Sequence, residues 1–287
     1  SHPDRLMYPM ENRPGEGYVR ISWEEAYTKV IDAINKIQSE HGKDSFALLS
    51  GVSLSNEKSY LIGKFARVAL QTANLDYNGR LCMVSAGAGN KKAFGIDRAA
   101  NSWADILETD LIFCTGTNIS ECSPITTDYI WKARDRRGAK LIVVDPRMTP
   151  IARTADLYLP VRPGTDVYLA NTILNLMIQA GHIDQEFINN HTTGFEDVKT
   201  AVAKYTPEDC EKITGVPKAN IIKAAQWWGG AKRSILLHAR GIEHHTKGVD
   251  NVLSYINMVL ASGRIGRVGC GYGTITGQGN GQGGREQ

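Results

Sequence analysis

The chain has 287 residues, 42% of them hydrophobic, with 33 Lys and Arg against 30 Asp and Glu for a net charge of +3. That is ordinary for a folded chain with material for one large or two medium domains. No run of Lys or Arg forms a stripe, no apolar run approaches about 18 residues and no h-region follows the first residues, so neither nucleic acid nor a membrane is an expected partner, nor is an intact secretion signal expected.

Ser1-His2 looks like a tag remnant, and residues 1–20 are polar, with Pro14-Gly15 as the clearest break. Ser22-Trp23-Glu24-Glu25 has the capping-box pattern and predicts a helix to about Ile37. A strand at 45–49 follows. Asn56 then opens a helix whose Tyr60, Leu61, Phe65 and Val68 fall on one face, a βαβ-like start. After it come Asn78-Gly79-Arg80-Leu81-Cys82-Met83 and the small residues Ser85-Ala86-Gly87-Ala88-Gly89, which let the backbone approach something bulky. Cys82 at their mouth suits a soft-metal ligand, a nucleophile or a small buried hydrophobe. The other cysteines, 114, 122, 210 and 270, form no C-x-x-C pair with it or with each other, and five is an odd number. That argues against a disulfide scaffold or structural zinc and for a reducing compartment, the cytoplasm.

Residues 110–147 organise the rest. Leu111-Ile112-Phe113-Cys114 is too short for a helix and ends in the polar turn Thr115-Gly116-Thr117-Asn118, so it reads as a buried strand. Pro124 starts a helix that Gly138 stops, and Leu141-Ile142-Val143-Val144 is a second strand closed by Asp145-Pro146-Arg147. Strand, helix and strand in this order form the parallel βαβ unit, whose ligands bind beyond the C-terminal strand ends. Spacing alone leaves two readings, a nucleotide-like ligand or the ordinary polar ends of α/β strands.

The strand 157–159 leads into Arg162-Pro163-Gly164-Thr165-Asp166, where the aspartate caps the next helix or accepts hydrogen bonds from a base or ribose. Residues 184–228 read as a helical subdomain, with Trp227 and Trp228 in its core. The strand 234–238 delivers Arg240-Gly241-Ile242-Glu243-His244-His245 to the same sheet edge. On an extended chain the two histidines point to opposite faces, so polar ligand contacts are expected from them rather than a shared metal ion. A helix over 249–261 precedes a tail, residues 263–284, with ten glycines in 22 residues. Its interleaved Arg264, Arg267, Tyr272, Gln278 and Asn280 suggest backbone wrapped round a large polar ligand. The stop at Glu286-Gln287 looks truncated.

Seven segments in this order resemble the molybdopterin oxidoreductases of the dimethyl sulfoxide reductase superfamily, and within it the cytoplasmic assimilatory nitrate reductases. They are residues 20–26, Asn78-Gly79-Arg80-Leu81-Cys82-Met83, Gly116-Thr117-Asn118-Ile119-Ser120-Glu121, Asp145-Pro146-Arg147, residues 162–166, Gly241 with His244 and His245, and Thr276-Gly277-Gln278-Gly279-Asn280 running to Gly284-Arg285-Glu286. The resemblance implies an α/β fold of Rossmann-like parallel sheets with flanking helices. Residues 1–78 would be the first part of a split molybdopterin-binding domain, 79–276 a complete inserted dinucleotide-binding domain, and 277–287 a glycine-rich segment returning to the first.

It also implies molybdenum held by the dithiolenes of two molybdopterin guanine dinucleotides, with Cys82 as the one protein ligand. One dinucleotide would meet Gly116, Thr117, Asn118, Ser120 and Glu121, then Asp145, Pro146 and Arg147, then Gly164, Thr165 and Asp166, and last Arg240, Gly241 and His244. Asn78 and Ser53 would lie near the cofactor. Arg240 stands where periplasmic relatives commonly have methionine, and His244 where they have glutamine. The implied reaction reduces nitrate to nitrite, with Arg285 orienting the anion, Gln278 hydrogen-bonding beside it and Met83 following the metal ligand. Electrons would come from a donor protein or domain through a [4Fe-4S] cluster in an N-terminal part that this chain lacks. The fragment alone is then expected to be inactive. The rivals are a formate dehydrogenase of the same superfamily and a non-catalytic nucleotide-binding α/β module.

Overall fold

The computed structural model describes residues 2–281 and 283–285, the last without its side chain, and divides into two compact units, Ser1–Arg80 with Gln278–Gln287, and Leu81–Gly277. The boundaries fall after residues 80 and 277, where the sequence suggested 78 and 276.

In the first unit an antiparallel hairpin pairs β1, Met10–Arg13, with β2, Gly17–Arg20, across a turn where Gly15 takes φ +82°. Helix α1, Trp23–His41, starts as expected, Ser22 Oγ accepting from the Glu25 amide at 3.0 Å. The side chain of Glu25 is ion-paired with Lys29 at 3.4 Å. The helix runs a turn past Ile37 to Gly42, and Lys43–Ser45 forms a 3-10 turn, so the next strand, β3, is only Leu48–Ser50. Helix α2, Asn56–Lys64, continues as a π-helical turn, Phe65–Leu70, to β4, Leu75–Tyr77, which pairs in parallel with β3.

Of the residues expected on one apolar face, Tyr60 and Leu61 lie on α2 and Phe65 and Val68 on the π-helical turn, and all four are at least half exposed. In α1, Tyr27, Val30 and Ile31 are exposed as well. A two-stranded sheet with so little buried apolar surface makes a marginal core.

The second unit follows from α3, Gly79–Cys82, and α4, Val84–Phe94. A short α5, Trp103–Ile106, leads to β5, Leu111–Thr115. Then come α6, Ile119–Cys122; α7, Pro124–Arg137; β6, Lys140–Val144; and β7, Leu157–Leu159. The helical stretch is α8, Asp166–Gln179; α9, Gln185–His191; α10, Phe195–Val202; α11, Pro207–Thr214; and α12, Lys218–Gly230. The chain closes through β8, Ser234–His238; α13, Arg240–Glu243; α14, Gly248–Ala261; and β9, Gly271–Thr274.

The five strands form one parallel sheet in the order β7-β6-β5-β8-β9. Alternation sends Leu111, Phe113, Ile142, Val144 and Leu236 to one buried face with Ile173, Trp228 and Tyr255. The other face takes Ile112, Cys114, Leu141, Val143, Ile235 and Leu237 with Ile130 and Ala133 of α7. Burial on both faces is why these strands read as continuous apolar runs.

Three expectations change here. The small residues 85–89 lie within α4 and serve a helix contact: a Cβ on Gly89 would come 2.5 Å from Val252 Cγ1 of α14. The middle of the glycine-rich tail, Gly271–Thr274, is a sheet strand, β9, whose Tyr272 is fully buried. Arg240–Glu243 is a helical turn rather than extended chain, so the opposite-faces argument for His244 and His245 does not apply.

Candidate functional site

From β5 the chain winds outward through β6 and β7, then returns to lay β8 and β9 on the other side. The topological switch point lies between β5 and β8, and a crevice at their C-terminal ends is the site such sheets offer. Gly116 and Gly241 set its width. The Gly241 amide donates to Gly116 O at 2.9 Å, and a Cβ on Gly241 would come 2.4 Å from Gly116 Cα. Gly116 also takes φ +57°, so both positions require glycine.

Beyond these glycines the predicted residues form a buried floor and an exposed rim. Thr117, Asp145 and Asp166 are buried, whereas Glu121, Pro146, Arg147, Gly164 and His244 are exposed. Ser120 and Thr165 are half-buried. Asn118 Nδ2 donates to Glu121 Oε2, and Arg147 Nη2 lies 4.0 Å from the same oxygen. Asp145 Oδ1 accepts from the Arg147 amide at 2.8 Å, while burial raises its carboxyl above the ordinary value. Thr117 Oγ1 and Asn118 Oδ1 are buried without a hydrogen-bond partner among the described residues. Buried polar atoms are rarely left so, and these two suit a ligand that supplies donors.

Asp166 is the first residue of α8, after the N-cap Thr165, and does not cap it. Its Oδ2 lies 4.0 Å from His245 Nε2. Burial is the largest influence and pushes the carboxyl up to about 6, against the pull of His245. A folded pKa above the unfolded one means that the native state holds the proton more tightly. The contribution of Asp166 to stability is therefore greatest below about pH 4 and falls as pH rises to about 6. Asp166→Asn should flatten that fall and stabilise the chain at pH 7 by up to about 3 kcal/mol, with little effect at pH 4. Urea midpoints at the two pH values measure this, and equal shifts at both would contradict it.

Cys82 ends α3, half-buried, and its Sγ accepts from Arg240 Nη1 at 3.2 Å. It is thus not the enclosed hydrophobe that one reading of the sequence allowed. His244 Nε2 lies 2.9 Å from Cys82 O, and His245 Nε2 2.8 Å from Gly241 O. Met83 is 2% exposed and sits in the core. No group of three or more His, Cys, Asp or Glu side chains that could hold a metal occurs among the described residues.

Sequence reasoning missed Glu243, 1% exposed, whose Oε1 accepts from Arg240 Nη2 at 2.5 Å and lies 3.2 Å from Nδ1 of the buried His238 without the alignment of a hydrogen bond. Burial would raise the Glu243 carboxyl, but His238 and Arg240 outweigh it and hold it below the ordinary value. The i, i+3 spacing of Arg240 and Glu243 was the available signal, readable only if the stretch is taken as helix.

In the first unit, Asn78 Nδ2 donates to Gln278 Oε1 at 2.8 Å while its own Oδ1 accepts from the Val52 amide at 3.0 Å. The Asn280 amide donates to Val52 O at 2.9 Å, so the tail grips the loop after β3, where Ser53 is exposed. The Arg285 side chain and Glu286 lie outside the described residues.

The parallel sheet with its glycine-lined switch point defines a doubly wound α/β protein. The chain belongs to the molybdopterin oxidoreductase family, which it matches over residues 5–287. It is 44% identical over 283 residues to the assimilatory nitrate reductase catalytic subunit of Bacillus subtilis, covering 98% of this chain and 40% of that protein. It is 38% identical over 280 residues to the F420-dependent formate dehydrogenase subunit alpha of Methanocaldococcus jannaschii, covering 98% of this chain and 41% of that one. Acetylene hydratase from Pelobacter acetylenicus superposes with a TM-score of 0.73 at 26% identity, over 92% of this chain and 36% of that one. The chain thus spans about 40% of the length of the curated relatives it matches. Among the described residues no helix is long and apolar enough to cross a membrane.

Proposed function

We propose that this chain is the central part of a cytoplasmic, molybdenum-bis(molybdopterin guanine dinucleotide) nitrate reductase that serves nitrate assimilation. The observation that carries the reading is the half-exposed Cys82 thiol, with a guanidinium beside its sulfur, on a chain whose described residues offer no other group for a metal. A thiolate is the protein ligand that a soft, redox-active metal prefers. When bound, the group supplies the two-electron chemistry by which nitrate loses one oxygen and nitrite leaves.

The chain's own residues bind and orient. Asp166, buried in the crevice, would accept from the N–H groups of a guanine edge, and Asp145 from a ribose. The unpartnered Thr117 and Asn118 oxygens extend that set of acceptors, and Arg147 at the rim offers charge to a phosphate. Gln278 and Arg285 are assigned to the anion on the resemblance, as a guanidinium fork matches planar oxyanions. The uncovered apolar faces of α1 and α2 support a first domain completed by chain outside these residues. The [4Fe-4S] cluster and the electron donor belong to the rest of the protein, so residues 1–287 alone should not turn over.

Metal and pterin analysis of the full-length protein tests the reading. Molybdenum and guanine dinucleotide are expected in a ratio of one to two. A metal-free, pterin-free preparation that still binds nucleotide would favour the non-catalytic module instead.

A further inference from the structure

A buried charge cluster lies beside Cys82. Arg240 projects from α13 with one guanidinium nitrogen, Nη1, on Cys82 Sγ at 3.2 Å and the other, Nη2, on Glu243 Oε1 at 2.5 Å. The Arg240 side chain is 21% exposed and the Glu243 side chain fully buried. Behind Glu243, His238 is fully buried in β8, its Nε2 2.5 Å from Tyr272 OH and 3.1 Å from Thr274 Oγ1 of β9. A line of contacts thus runs from two core strands to the sulfur.

An ordinary i, i+3 ion pair on a surface contributes little and needs no burial. A carboxylate taken wholly out of water is costly, and it persists where its neighbours hold it and it holds them. Here it fixes a planar guanidinium in one orientation, and that orientation aims the free nitrogen at the thiol.

We propose that Arg240 is a hydrogen-bond donor to the metal-bound Cys82 thiolate that raises the reduction potential of the metal, and that Glu243, backed by His238 and Tyr272, is the positioning residue that holds it there. This rests on the molybdenum reading above. A donor to a ligating sulfur withdraws electron density from it, and hydrogen bonds to ligand sulfurs are a recognised control of potential in thiolate-bound metal centres.

The test uses the full-length, molybdenum-loaded protein with Arg240→Met, Glu243→Gln and the double variant, which avoids stranding a buried carboxylate. Molybdenum content is measured first, then the midpoint potential by EPR-monitored titration. The potential should fall in Arg240→Met, fall less in Glu243→Gln, and in the double variant fall no further than in Arg240→Met, because the two residues act in one line. Loaded wild type and loaded double variant with the same potential and the same EPR signal would overturn the inference while leaving the molybdenum reading intact. A double variant that folds but holds no molybdenum would also overturn it, since the arginine is asked only to tune. Wild type without molybdenum would remove both.

Discussion

Full-length protein carrying Cys82→Ala should fold, lose its molybdenum and turn over at less than about 1% of the wild-type rate, a loss beyond the 10–100-fold that removal of an outer-shell partner costs. The choice of this cysteine is now physical rather than positional. Cys114 is fully buried in β5, where burial pushes its thiol up to about 12, and burial raises Cys210 too. Cys270 is 1% exposed. Only Cys82 and Cys122 reach solvent, and only Cys82 has an arginine on its sulfur. Because Cys82 is half-buried at the end of a four-residue helix, trimming it leaves no large cavity and the fold should survive. Cys122→Ala should keep the metal. Normal turnover in Cys82→Ala, or metal loss confined to Cys122→Ala, would sink the assignment.

The strands of the second unit were legible because burial on both faces makes LIFCT and KLIVV short apolar runs, and Pro124 and Gly138 punctuate the helix between them. The strand β9 was not, since Gly271 and Gly273 give it no β-forming signature. The glycine there answers to a neighbour, a Cβ on Gly271 meeting Asn101 at 2.2 Å. The same holds for Gly116 and Gly241, legible as special glycines but not as each other's partners across 125 residues of sequence. The periodicity of Tyr60, Leu61, Phe65 and Val68 predicts one apolar helix face, but a π-helical turn takes over at Phe65 and all four side chains are exposed, which periodicity cannot tell. His238, Arg240 and Glu243 are neighbours in sequence, but Tyr272, which backs His238, comes from β9, and a partner that far along the chain leaves no trace in local spacing.

The full-length protein should reduce nitrate and should not oxidise formate, and identity alone does not decide between them at 44% and 38%. Formate oxidation to carbon dioxide releases a proton and two electrons, and the hydrogen must leave carbon toward a group that accepts it. On the resemblance, formate enzymes place a histidine directly after the metal-bound residue and an arginine before the Gly-Gln pair. Here those places are Met83, buried and unable to accept a proton, and Thr276. The positive charge falls instead at Arg285, seven residues beyond Gln278. Nitrate reduction takes up two electrons and two protons and returns nitrite and water, so it needs a held anion but no base at carbon. The structure adds one group that the formate reading could use, His244, whose Nε2 lies at the Cys82 carbonyl. His244→Gln, the residue common at this place in periplasmic relatives, separates the cases. Nitrate-dependent dye oxidation should stay within roughly tenfold of wild type, below the 10²–10⁴-fold that loss of a general base costs. Formate-dependent dye reduction by the wild-type protein, abolished by His244→Gln and unaccompanied by nitrate-dependent dye oxidation, would overturn the nitrate assignment and make His244 the proton acceptor of a formate dehydrogenase.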